Sequence, residues 1–122
     1  MTELARYAIP FPVSVNAMYD RGRGGVRKTD RYKAWITEAG WELRIQRPRP
    51  TSGPVTVGLE LTAPDDRRRD ADNCAKSVMD LLVTHRVITD DACQFVRWVK
   101  PEWVKGEKPG CVIVIARAEE AS

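Results

Sequence analysis

Apolar residues change their spacing several times along this chain, and each change predicts a new element. Leu4 to Ile9 reads as a short strand, ended at Pro10-Phe11-Pro12 because proline cannot donate to a sheet ladder. A loop is expected next, since Gly22, Gly24 and Gly25 are interspersed with Arg21, Arg23, Arg27 and Lys28. From Thr29 or Asp30, either able to cap a helix, Tyr32, Trp35, Ile36, Ala39 and Leu43 follow helical spacing to about Gln46. Arg47-Pro48-Arg49-Pro50 stops that helix. Val55, Val57, Leu59 and Leu61 then alternate with Thr56, Gly58, Glu60 and Thr62, as in a strand with one buried face. Pro64 to Asp72 is a charged connection into a second helix, whose buried stripe is Cys74, Val78, Leu81 and Leu82, with Asp70 or Asp72 as its expected cap. Phe95, Val96, Trp98 and Val99 predict a strand, and Cys111 to Ala116 a last, strongly apolar one.

The resulting order, β-α-β-α-β-β, predicts an α/β fold of the α+β type. It is one small domain over residues 1–122, with a mixed sheet of about four strands and two principal helices. With 122 residues and 43% hydrophobic content, the chain fills one core without covalent staples. Cys74, Cys93 and Cys111 are odd in number and form no CxxC pair, which argues against both a disulfide framework and a zinc ribbon. Glu3 and Arg6 interrupt the N-terminus, and no apolar run approaches the ~18 residues of a membrane helix. A cytoplasmic protein without a membrane partner is expected.

Charge is unevenly spread. Met1 to Gly53 holds 10 basic and 5 acidic residues, a balance of +5, whereas Pro54 to Ser122 holds 10 and 12, a balance of −2. Gly22 to Thr29 approaches a phosphate-binding loop, but Arg27 stands where glycine must precede the lysine, so no nucleotide cofactor is expected. His85, the single histidine, lies near a helix end, where an imidazole interacts well with the last carbonyls.

The chemistry concentrates between Asp65 and Asp91. Asp65, Asp66, Asp70, Asp72, Asp80, Asp90 and Asp91 are all aspartate and none glutamate, interrupted by Arg67-Arg68-Arg69 and Lys76. The short aspartate arm suits rigid oxygen ligation of Mg²⁺ or Mn²⁺. Clustered carboxylates repel, so Asp70, Asp72 and Asp91 remain ionised together only with a cation or a set of donors. A divalent ion beside the arginines and Lys76 would polarise a phosphate and activate water, the logic of phosphodiester hydrolysis. A plainer reading stays open: Asp70 as a cap, Asp72 and Lys76 as an i,i+4 pair, and Asp90-Asp91 as a turn.

The run Asp65-Asp66-Arg67-Arg68-Arg69-Asp70-Ala71-Asp72-Asn73, followed by Lys76, Asp80 and Asp90-Asp91, resembles the RusA family of Holliday junction resolvases, endonucleases often carried by phages and prophages. The opening Ile9-Pro10-Phe11-Pro12-Val13-Ser14-Val15-Asn16 is similar to that family's Pro-rich start. The resemblance implies a homodimeric, Mg²⁺-dependent enzyme that nicks two opposed strands of a four-way DNA junction. Asp70, Asp72 and Asp91 match the catalytic acids and metal ligands, and Lys76 the essential lysine. Arg67, Arg68 and Arg69 match a DNA-contacting segment. Asn16 and the basic stretch of Arg21, Arg23, Arg27 and Lys28 are further expected DNA contacts. The rival expectation is a branched-DNA-binding module without catalysis, in which the same basic residues bind and the aspartates only cap and turn.

Overall fold

Local signals set the first helix as the sequence predicts. In the computed structural model, which describes residues 2–118, α1 (Asp30–Ile45) begins at Thr29, whose Oγ1 accepts from the Tyr32 amide at 3.2 Å. The same hydroxyl donates to the Ala17 carbonyl at 2.6 Å, tying the helix start to the segment before it. Tyr32, Trp35, Ala39 and Leu43 are buried at helical spacing, and the Trp35 indole donates to the Pro10 carbonyl at 3.3 Å.

The described residues form six strands: β1 (Glu3–Ile9), β2 (Tyr19–Gly22), β3 (Gly25–Lys28), β4 (Val55–Thr62), β5 (Val96–Trp103) and β6 (Gly110–Arg117). The second helix, α2, runs from Ala75 to Thr84. The main sheet has the order β1-β6-β4-β5, with β4 and β5 parallel and the other pairs antiparallel, which gives the expected mixed four-stranded sheet. Parallel neighbours need a crossover, and the β4-α2-β5 unit supplies it, so the connection carrying the aspartates is held at one end of the sheet. Alternation in β4 places Val55, Val57, Leu59 and Leu61 in the core against Ile113 and Ile115 of β6 and Val78 and Leu82 of α2. β5 lies at the sheet edge, the kind of strand in which a proline such as Pro101 is tolerated. At the other edge the Gln46 side chain accepts from the Ala8 amide at 2.8 Å and donates to its carbonyl at 2.7 Å, covering part of β1's free side.

Two expectations are corrected. The segment from Arg21 to Lys28 is not a loop: β2 and β3 form an antiparallel hairpin, with Tyr19 opposite Lys28 and Arg21 opposite Val26. Gly24 and Gly25, both at positive φ, let the chain reverse there, and every residue of the two strands is exposed. Neither Asp70 nor Asp72 caps α2, because residues 71–74 form a 3-10 turn first and Cys74 occupies the helix's cap position. Asp70 precedes that turn, and its carboxylate accepts no capping hydrogen bond.

One buried polar contact fixes α2 against the Pro-rich segment: Ser77, fully buried, donates from Oγ to the Val13 carbonyl at 2.9 Å. Ser77→Ala leaves that carbonyl without its partner, so a loss of about 1–3 kcal/mol is expected. Thermal denaturation followed by circular dichroism should show a melting temperature lower by roughly 5 °C. An unchanged midpoint would mean that the bond adds nothing net.

Candidate nucleic-acid and metal site

The connection from β4 to α2 is shaped by a charge clamp. The Asp65 carboxylate accepts from both terminal nitrogens of Arg69, at 2.7 and 3.1 Å, and from the Arg67 amide at 2.9 Å. Its pKa is lowered to about 2, first by the Arg69 hydrogen bonds and then by the Arg67 amide. The Arg69 guanidinium also lies over the Phe11 ring, 5.6 Å from its centroid, and Phe11 stacks on Trp103 at 6.1 Å. Arg69 is thereby held by Asp65 and by the Phe11 ring, with only 19% of its side chain exposed, whereas Arg67 retains 79%. The arginine run divides: Arg69 fixes the loop, and Arg67 and Arg68 face solvent.

Two cavities flank this connection. One, of about 380 Å³, is lined by Arg67, Arg68 and Arg69 together with Asp70, Asn16 and Asn73, so expected DNA contacts and one expected metal ligand share a wall. The other, of about 410 Å³, is lined by Lys76, Asp80, Asp90 and Asp91 from the α2 side and by Tyr19, Lys28 and Tyr32 from the hairpin and α1. The Lys76 ammonium donates to Asp80 Oδ1 at 3.0 Å, and its pKa is raised by that hydrogen bond and the Asp80 charge, with Asp91 adding to the effect. Lys76 therefore pairs with Asp80 rather than with Asp72, against the plainer i,i+4 reading. Asp90 Oδ1 accepts from the Asp91 amide at 2.7 Å, and the chain bends at Asp91 rather than closing the expected turn there.

Asp70, Asp72 and Asp91 are all exposed. Asp70 lines the arginine cavity, Asp91 the lysine cavity, and Asp72 lies in the intervening 3-10 turn, lining neither. Among the described residues, no three His, Cys, Asp or Glu side chains are grouped so as to hold a metal ion. By donor type the aspartates suit a hard divalent cation, and among the described residues no donor is hydrogen-bonded to any of their three carboxylates. The hairpin carries Arg21, Arg23, Arg27 and Lys28 outward. Arg27 meets Asp20 only in an exposed contact at 3.4 Å, and the Lys28 ammonium lies 5.9 Å from the Tyr32 ring centroid. Tyr19, at the hairpin base, was not legible as a site residue, because only the β2–β3 pairing brings it to Lys76. The Asp65–Arg69 clamp did leave a signal, an opposite-charge pair four residues apart. His85 sits away from both cavities at the C-terminal end of α2, against Gly40, and burial lowers its pKa, consistent with a packing role.

Exposed aspartates beside arginine- and lysine-lined cavities have the make-up of a domain that handles phosphodiesters. The family model described as Endodeoxyribonuclease RusA matches residues 10–116. The crossover junction endodeoxyribonuclease RusA of Aquifex aeolicus (strain VF5) is 34% identical over 117 residues, covering 94% of this chain and 92% of that protein. The chain belongs to the RusA family of endodeoxyribonucleases. Among the described residues no helix is long and apolar enough to cross a membrane.

Proposed function

We propose that residues 1–122 form one RusA-like endonuclease domain that acts as a cytoplasmic homodimer. It resolves four-way DNA junctions by paired, symmetric nicks that require Mg²⁺, with Mn²⁺ as a substitute. The observation that carries this reading is the placement of aspartates, without an ion-pair partner among the described residues, beside cations on both sides of one connection: Asp70 with Arg67 and Arg68, and Asp91 with Lys76. Twofold symmetry follows from the substrate, because two opposed strands of a junction present equivalent bonds to two copies of one site.

Asp70, Asp72 and Asp91 would hold the divalent ion, and sharing it requires the three carboxylates to close up from their present spacing. When bound, such an ion supplies Lewis-acid charge to a phosphate oxygen and a water of lowered pKa. The chain's own residues do the rest. Arg67 and Arg68 bind backbone phosphates, and their exposure allows bidentate contact. Arg69 positions the loop through Asp65 and adds a third cation to the run that meets the DNA. Lys76, kept cationic by Asp80, offers no lone pair to take a proton, so its part is to neutralise charge that builds on the phosphate. The hairpin cations Arg21, Arg23, Arg27 and Lys28, with Asn16, follow phosphates without reading bases, and binding weakens steeply with salt.

A labelled four-way junction and a linear duplex of matched sequence, incubated with Mg²⁺ or EDTA, test this reading. Paired nicks on the junction alone, dependent on Mg²⁺ and leaving 5′-phosphate and 3′-hydroxyl ends, are expected. Because no three acids are gathered among the described residues, the second reading is a branched-DNA-binding module without catalysis. Tight junction binding with no cleavage under Mg²⁺ or Mn²⁺ would establish it instead.

A further inference from the structure

Arg31, near the start of α1, belongs to none of the sequence motifs, yet its side chain lines the arginine cavity. That cavity is built from three segments far apart in sequence: the Pro-rich segment through Ser14 and Asn16, the start of α1 through Arg31, and the connection through Arg67, Arg68 and Asp70. The charges there are unbalanced. Arg69 is satisfied by Asp65, and Arg67 reaches the same carboxylate only at 4.0 Å. Among the described residues, no carboxylate pairs with Arg31 or Arg68, and Asp70 is the one acid in the cavity wall. Arg31, Arg67 and Arg68 line this space of about 380 Å³ with a single acid, Asp70, which gives it a net positive, donor-rich lining. Guanidinium forks match the oxygens of a phosphodiester, and a nucleotide's phosphate and sugar fit the volume.

We infer that Arg31, Arg67 and Arg68 form a cup for one DNA backbone phosphate beside Asp70, close to the bond that is cut. Arg31 is a binding residue in this cup, and Arg69, clamped by Asp65, holds the connection that carries Arg67 and Arg68. The inference rests on the resolvase reading and adds a contact that fixes where the cleaved strand lies. The cup reads no base, because every backbone phosphate presents the same oxygens.

Fluorescence anisotropy of a labelled four-way junction in EDTA, measured over a range of NaCl concentrations, tests it without cleavage. Arg31→Gln is expected to weaken binding about tenfold at 0.1 M salt and to make the salt dependence shallower by about one ion. Arg31→Lys should restore the slope and part of the affinity, since lysine keeps the charge but not the fork. Arg49→Gln, which removes an exposed arginine from the connection between α1 and β4, should bind as the wild type does. A folded Arg31→Gln protein with wild-type affinity and slope would overturn the cup, and so would an equal loss in Arg49→Gln, because general charge would then explain the effect. Wild-type protein that shows the Arg31 dependence but never nicks the junction with Mg²⁺ would sink the resolvase reading and leave the cup standing.

Discussion

Asp72→Asn is expected to abolish nicking of a four-way junction, with turnover lower by about a thousandfold or more, while junction affinity stays equal or becomes tighter. Asparagine keeps the size of the side chain and removes only its charge. That charge holds nothing together in the fold: Asp72 is exposed, lies in a 3-10 turn, and leaves Lys76 to pair with Asp80. Its removal also relieves repulsion from Asp70 nearby in the chain and from the phosphates of bound DNA, which is why affinity should not fall. The melting temperature should stay within about 2 °C of wild type, since surface substitutions away from caps and buried networks change stability little. Single-turnover nicking, anisotropy and thermal denaturation on the same preparation separate the outcomes. Joint loss of binding and cleavage in a folded protein would show that Asp72 contacts DNA rather than serving the chemistry. A large drop in melting temperature would show that its carboxylate braces the turn after all.

The elements that were legible in the sequence are those with a local cause. The alternation from Val55 to Leu61 marks β4 because one face of a strand must be buried, and Thr29 with the Tyr32-to-Leu43 spacing marks α1 because cap and stripe lie within a few residues of each other. The β2–β3 hairpin has no such cause. Both of its faces are exposed, so Tyr19, Asp20, Arg21 and Gly22 show no apolar alternation, and only the reversal at Gly24 and Gly25 sets the pairing. Strand order depends on long-range contacts, so the parallel β4–β5 pairing leaves no local mark in the sequence even though the helix between the two strands does. The site divides in the same way. Residue types, an Asp-rich connection broken by arginines, announced phosphate chemistry. Their grouping into an arginine cavity holding Asp70 and a lysine cavity holding Asp91 depends on how α1, the hairpin and the Pro-rich segment pack around that connection.

Lys76→Ala should lower turnover by about a hundredfold with little change in junction affinity, because a contact that strengthens as charge develops on the phosphate affects the transition state more than the bound substrate. The geometry gives a sharper form of this expectation. The Lys76 ammonium is held at 3.0 Å by Asp80 and faces the cavity that Asp91 also lines, so it is oriented as well as charged. Its pKa is raised above the ordinary lysine value of 10.5, first by the Asp80 hydrogen bond, so the side chain remains an ammonium throughout the working range. The pH–rate profile should therefore show no alkaline fall from Lys76 below about pH 10. Asp80→Asn keeps the charge and loosens its aim: the lysine pKa moves back toward its ordinary value, far above neutrality, and turnover should drop less than in Lys76→Ala. Lys76→Arg preserves a cation and should retain part of the activity, limited by the larger planar group in a space shared with Asp80 and Asp91. An affinity loss with unchanged turnover in Lys76→Ala would make the lysine a phosphate anchor. An alkaline limb near neutral pH that disappears in Lys76→Arg would mean that Asp80 does not hold the ammonium as described, because a lysine titrating there would have a lowered pKa, opposite to the effect of a neighbouring carboxylate.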